Sequence, residues 1–162
     1  MKRWDRRPVE IKNLFNAGFC ALVLSRALQG FDEGDPKGMP FSLALLVLPL
    51  CLHKETREVV AANPRRYLLK TLEQNPQILV GLPGRVHDLL PFTFEGLGLA
   101  FHLNCFEVNQ DGRLKTVAGK IRKAVNGTAE SISCQRVARI VAKEFARIGD
   151  RVTIYTSLGV RP

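Results

Sequence analysis

The sequence predicts a mainly α, α+β fold: a helical domain with a winged-helix-like β-hairpin and a C-terminal strand. Three patterns predict it. Apolar residues recur at helical spacing through most of the chain. Two short alternating segments, Phe106 to Val108 and Leu114 to Val117, flank Asn109-Gln110-Asp111-Gly112, the signature of a tight hairpin turn. The run Val152 to Thr156 alternates and is β-branched or aromatic, as strands are. With 46% apolar and 24% charged residues the composition is that of a folded chain, not a disordered one. Residues 1–162 are expected to form a single domain.

Taken in order, Val9 to Leu28 reads as a first helix, weakened in the middle by Asn16-Ala17-Gly18. Gly30 to Gly38 is rich in turn formers and is predicted to be a loop. Pro40 suits the first position of a second helix, which Pro49 should kink or restart before it continues to about Val60. In that last stretch Lys54, Glu55, Arg57 and Glu58 are expected to face water. A third helix spans Pro64 to Gln74 with Asn63 as its cap, and two more cover Pro83 to Leu90 and Pro91 to Asn104. The hairpin follows, so helices then hairpin give the order of a winged-helix unit. Ser131 to Ile148 is the strongest helix, with Ser131 or Ser133 as cap and Gly149 as its stop.

Charge divides the chain. Residues 113–162 carry eleven Lys/Arg against three acids, so they hold +8 of the net +9. Residues 1–112 are nearly neutral, with thirteen basic and twelve acidic side chains. The reading is a neutral packing part and a basic part matched to a polyanion or an acidic protein face. On a helical wheel Arg136, Arg139, Lys143 and Arg147 fall within roughly 80° of one another, about 120° from the apolar edge. This ridge, with Lys115, Lys120, Arg122 and Lys123, is the predicted site for DNA phosphates or an acidic partner. The bland alternative is a solvated helix face.

Base-specific DNA reading lacks its chemistry. The segment Pro91 to Asn104, in the place of a recognition helix, has no Lys or Arg. Its apolar side chains suit the core or a protein partner, and Phe92, Phe94 and Leu97 are the interface candidates, joined by Tyr155, Leu158 and Arg161 in the tail. Neither Cys51 with His53 nor His102 with Cys105 completes a four-ligand zinc site. His87 and Asp88 are adjacent in sequence and do not point to one spot on a helix. There is no Walker-type loop and no nucleophile elbow. The expectation is a protein that is not an enzyme and uses no cofactor or metal. Cys20, Cys51, Cys105 and Cys134 read as reduced, mostly buried thiols of a cytoplasmic protein. No signal-peptide pattern opens the chain, and the longest apolar run, Phe41 to Leu52, is too short to span a bilayer. The Asn126-Gly127-Thr128 sequon is expected to serve as a turn.

Several segments carry a family resemblance. They are RPVEIKNLFN and GFCALVL near the start, MPFSLALLVLPLCLHKETRE from Met39 to Glu58, and the closing IYTSLGVRP. Together they resemble the small middle component of three-component ABC systems, in which an SMC/Rad50-like ATPase works with a middle subunit and an effector; Lamassu-type anti-phage defence is grouped with these. The more specific matches are Arg7-Pro8 with Glu10, Pro40-Phe41, Leu48-Pro49, His53-Lys54 with Thr56-Arg57, and Tyr155-Thr156 with Gly159 to Pro162. Two positions depart from the family pattern. Asn16-Ala17-Gly18 stands for Asn-Pro-Ala, and Ser157-Leu158 stands for Met-Trp, which removes an aromatic anchor from the tail.

The resemblance implies a non-enzymatic coupling subunit. Its partners would be an SMC/Rad50-like ATPase and an effector such as a nuclease, with DNA contacted without sequence preference and no membrane. The alternative is a free-standing winged-helix-like DNA-binding regulator.

Overall fold

A computed structural model describes residues 15–161. The expected helix start at Val9 and the resemblance-bearing Arg7, Pro8, Glu10 and Pro162 lie outside them. Seven α-helices and a small antiparallel sheet follow in the order α1 (Ala17–Gly34), β1 (Met39–Pro40), α2 (Phe41–Cys51), α3 (Lys54–Ala62), α4 (Leu68–Gln74), a 3₁₀ turn (Pro76–Leu79), α5 (Leu82–His102), β2 (Phe106–Val108), β3 (Arg113–Thr116), α6 (Ala129–Ile148) and α7 (Arg151–Ser157).

Helix α1 is the centre of the molecule, packing on α2, α5, α6 and β3. Asn16 is its cap, not a weak point in its middle: the side-chain Oδ1 accepts from the Gly18 and Phe19 amides at 2.7 and 3.4 Å. The helix also runs six residues past the predicted end at Leu28. Gly30 and Gly34, four apart, are what its packing needs. A β-carbon on Gly30 would lie 2.2 Å from the Arg139 carbonyl oxygen, and one on Gly34 2.8 Å from the Ala146 methyl. Ala138 and Ala142 of α6 are fully buried near this crossing. Small residues on both helices thus bring the two backbones together, and the loop predicted over Gly30 to Gly38 begins only at Asp35.

The hairpin forms where expected, with Phe106 opposite Thr116 and Val108 opposite Leu114. Asn109 builds its turn: Oδ1 accepts from the Asp111 and Arg113 amides, both at 3.0 Å, and Gly112 takes the left-handed φ of 72°. A third strand, β1, was not visible in the sequence because two residues carry no periodicity. It pairs Met39 with Leu114, giving the order β1-β3-β2. Pro40 therefore ends a strand and caps α2 instead of opening that helix.

Other boundaries moved for local reasons. Helix α2 passes through Pro49 and breaks at Leu52-His53, where His53 Nδ1 accepts from the Thr56 amide and starts α3. Asn63 closes α3 and does not cap the next helix. The two helices predicted around Pro91 are one, α5; the carbonyl that Pro91 leaves unpaired belongs to exposed His87, where water can reach it. Thr128, not Ser131 or Ser133, caps α6 through a 3.2 Å bond from the Ser131 amide. Gly149 stops α6 with φ of 74°, as predicted.

The expected C-terminal strand is a helix, α7. Asp150 Oδ2 accepts from the Thr153 amide at 2.9 Å and its hydroxyl at 2.5 Å, which starts a turn that β-branched residues would not favour on their own. Ile154, Tyr155 and Leu158 then bury against the core at helical spacing. The tail closes with paired bonds, Val160 amide to Tyr155 carbonyl and Gly159 amide to Thr156 carbonyl, both 3.0 Å, with Gly159 at φ 66°. Among the described residues no helix is long and apolar enough to cross a membrane.

Candidate functional site

The predicted basic ridge on α6 is largely neutralised from within. Glu33, near the end of α1, takes Arg139 on one carboxylate oxygen and Lys143 on the other, the latter at 3.2 Å. Desolvation opposes the charge of Glu33, but the two cations outweigh it and hold the carboxyl below its ordinary range. Arg147 lies 3.5 Å from Glu144 and stacks over the Tyr67 ring at 5.0 Å. Glu144 in turn accepts from the Leu68 amide at 2.8 Å, so this group ties α6 to the start of α4.

The same acidic end of α1 neutralises the hairpin. Lys115 pairs with Asp32 at 3.2 Å and donates to the Pro36 carbonyl at 2.8 Å; Arg113 pairs with Asp35 at 3.2 Å. Of the predicted phosphate-binding set, only Lys120, Arg122, Lys123 and Arg136 remain exposed with no side-chain partner among the described residues. The first three sit together on the loop between β3 and α6.

Arg57, expected in water, is 5% exposed. Its guanidinium donates to the Cys51 and Leu52 carbonyls at 3.2 and 2.9 Å and to Glu130 at 2.8 Å, joining the end of α2 to the start of α6. That is a helix clamp, not a surface charge.

The apolar interface candidates divide in the same way. Leu97 and Leu158 are core residues, and Phe92 is half-buried against Phe15 with ring centroids 4.6 Å apart. Leu158 fills the interior. Phe94 is 49% exposed and stacks on the equally exposed Phe41 at 6.2 Å. The next residue, Ser42, meets the tail: its carbonyl accepts from the Tyr155 hydroxyl at 2.5 Å, and desolvation raises the phenol's pKa.

Here a groove of about 630 Å³ opens, lined by Ser42, Arg151, Val152, Tyr155, Val160 and Arg161. Its floor is apolar, Val152 is 72% exposed, and Ser42 Oγ is buried without a hydrogen-bond partner among the described residues. Arg151 and Arg161 are exposed and form no salt bridge among the described residues, although Arg151 is near enough to Asp150 to help hold that carboxyl low. Thus Phe94, Tyr155 and Arg161, chosen from separate segments, meet in one region through Phe41 and Ser42. Ser42 carried no signal in the sequence, and Phe41 stood out there only in the Pro40-Phe41 match.

No group of three His, Cys, Asp or Glu among the described residues is placed to hold a metal ion. Three buried thiols are held in the protonated form: desolvation pushes Cys20 up to about 12 and also raises Cys51 and Cys134. His87 and Asp88, which sequence adjacency argued against, do approach to 3.5 Å, but in full exposure to solvent.

Comparison with curated proteins and with solved structures gave no match. The model of one family, the ABC-three component (ABC-3C) system Middle Component 3, matches residues 4–162. That span is nearly the whole chain and includes both the neutral and the basic parts, so the chain belongs to the Middle Component 3 family of ABC-three component systems.

Proposed function

We propose that this middle component is a non-enzymatic coupling subunit that joins the ABC ATPase of its system to an effector. The ATPase would be of SMC/Rad50 type and the system one of Lamassu-like anti-phage defence, working in the cytoplasm. The effector class that best suits such a system is a nuclease. Family membership supports the multi-subunit setting. The order α1, β1, α2, α5, β2, β3 and the strand order β1-β3-β2 support a winged-helix-like reading, in which α3, α4 and the 3₁₀ turn would be an insertion.

The observation that carries the reading is the groove of about 630 Å³ beside the Phe41–Phe94 stack, with its apolar floor and the exposed Arg151 and Arg161. Interfaces draw their energy from aromatic and apolar anchors that become fully desolvated, with charged groups at the rim. An apolar segment of a partner flanked by carboxylates fits this surface. The helix in the recognition position supports a protein partner over a base reader: its one arginine, Arg85, is folded back onto the Ile78 and Val80 carbonyls at 2.9 and 2.8 Å. A free-standing regulator would need side chains in that helix that reach base edges.

Affinity capture of the tagged chain after co-expression with the ATPase and effector of its system tests this. The wild-type chain should bring down both. The double variant Val152→Glu/Arg161→Glu, at two exposed groove positions, should lose one of them by at least tenfold while keeping its thermal melt. Capture of the wild-type chain alone would sink the proposal. Sequence-preferring DNA binding by that isolated chain would replace it with the regulator reading.

A further inference from the structure

We propose that the loop between β3 and α6, residues 117–128, is a contact for the phosphodiester backbone of duplex DNA, made by Lys120, Arg122 and Lys123. The inference deepens the coupling-subunit reading by narrowing the predicted DNA contact from the α6 ridge and the cations before it to this loop, and it rests on that reading for its biological setting. The first argument is electrostatic. From Gly112 to Ala129 the chain has five cations and no acid. Arg113 and Lys115 are used by Asp35 and Asp32, which leaves the three loop cations free to neutralise something outside the molecule.

The second argument is how the loop is held. Arg26 of α1 is 3% exposed and Gln135 of α6 is 1% exposed, and both are spent on this loop. Arg26 donates to the Arg122 carbonyl at 2.7 Å and the Ala124 carbonyl at 2.9 Å, and its Nε reaches Gln135 Oε1 at 3.1 Å. The Gln135 amide group donates to the Asn126 carbonyl at 3.2 Å. Burying a guanidinium and an amide is costly unless their hydrogen bonds are met, and here they are met by a loop that would otherwise be free to move. The carbonyls of alternate residues 122, 124 and 126 are thereby turned inward. The amide N–H groups of residues 121–127 have no partner among the described residues. What the loop offers outward is the exposed cationic side chains of Lys120, Arg122 and Lys123, the groups that proteins use on phosphate oxygens. Because the loop is fixed beforehand, little ordering entropy is lost on binding.

The third argument separates nucleic acid from an acidic protein. None of the large exposed apolar side chains (Phe41, Tyr67, Val80, Phe94, Leu103, Val108 and Val152) lies on the loop or on α6. A protein interface needs such anchors at its centre; a phosphate contact needs charge and donors. Arg136, next to Gln135 on α6 and also unpaired, adds a fourth cation on the flank.

Fluorescence anisotropy with a labelled random-sequence duplex, measured on the full chain across salt concentrations, tests the proposal. With three or four phosphates contacted, log K should fall with log salt at a slope of about −3 to −4. The triple variant Lys120→Gln/Arg122→Gln/Lys123→Gln should bind at least tenfold more weakly and lose most of that slope, since each phosphate contact is worth about −0.9. Its thermal melt should not move, because these side chains hold nothing inside the molecule. The groove variant Arg151→Gln/Arg161→Gln should bind DNA within twofold of wild type. Absence of binding by the wild-type chain, or equal binding and slope in the triple variant, would overturn the assignment. Loss of a captured protein subunit in the triple variant, with DNA binding unchanged, would overturn it in favour of an acidic protein partner. Capture of both subunits by the triple variant, with DNA lost, separates this inference from the coupling reading itself.

Discussion

A methyl group on Gly30 would sit 2.2 Å from the Arg139 carbonyl oxygen, a backbone atom that cannot turn aside. Gly30→Ala should therefore force α1 and α6 apart, at a cost of about 1–3 kcal/mol or more, even though alanine is the better helix former. Gly98, on α5, has open space where its β-carbon would be. Gly98→Ala should be neutral or stabilising by up to about 1 kcal/mol, and paired chemical-denaturation curves check both. The sequence pattern places Gly30 in a loop, whereas the structure packs it inside α1 against α6. Glycine has the same letter whether it frees the backbone or admits a neighbour, and only the neighbour distinguishes them. A β-carbon on Gly96 of α5 would lie 2.9 Å from that of Cys20 of α1, so this glycine too admits a neighbouring helix. Arg57 and Arg26 could not be read, because a charged letter does not announce that distant carbonyls await it.

At the scale of the element, the long amphipathic helix and the hairpin were plain in the pattern, while starts and stops were decided by single side chains. Thr128 caps α6, and Thr128→Ala should cost about 1 kcal/mol of stability. Ser133, an equally plausible cap on sequence grounds, accepts no capping bond, so Ser133→Ala should change the denaturation midpoint little. Helix α7 shows why alternation misleads in a short run. Val152 to Thr156 satisfies a strand pattern, but a strand also needs a paired neighbour, and the described sheet of β1, β3 and β2 does not include this segment. Asp150 and Thr153 instead supply the cap, and Ile154, Tyr155 and Leu158 the buried face. The same capping logic explains why β1 went unseen: its identity lies in pairing with β3, not in the two residues Met39 and Pro40.

For the molecule as a whole, the separation of charge along the sequence is mostly closed up by folding. The acidic end of α1, Asp32, Glu33 and Asp35, receives Lys115, Arg139, Lys143 and Arg113 from the basic part. The basic part was legible as a feature, but not which of its cations are internal counterions, since that depends on the approach of α1 to α6. What remains outward is a loop of three cations on one side and an apolar groove with two arginines on another. A subunit with two distinct faces, one for a polyanion and one for a protein, is suited to link components rather than to transform a substrate. The central claim is thus a requirement for linkage, and light scattering on size-exclusion chromatography of the purified components measures it directly. ATPase and effector should co-elute as one complex only when this chain is present, at a mass that includes it. Co-elution of the ATPase and effector to the same extent without the chain would contradict the account.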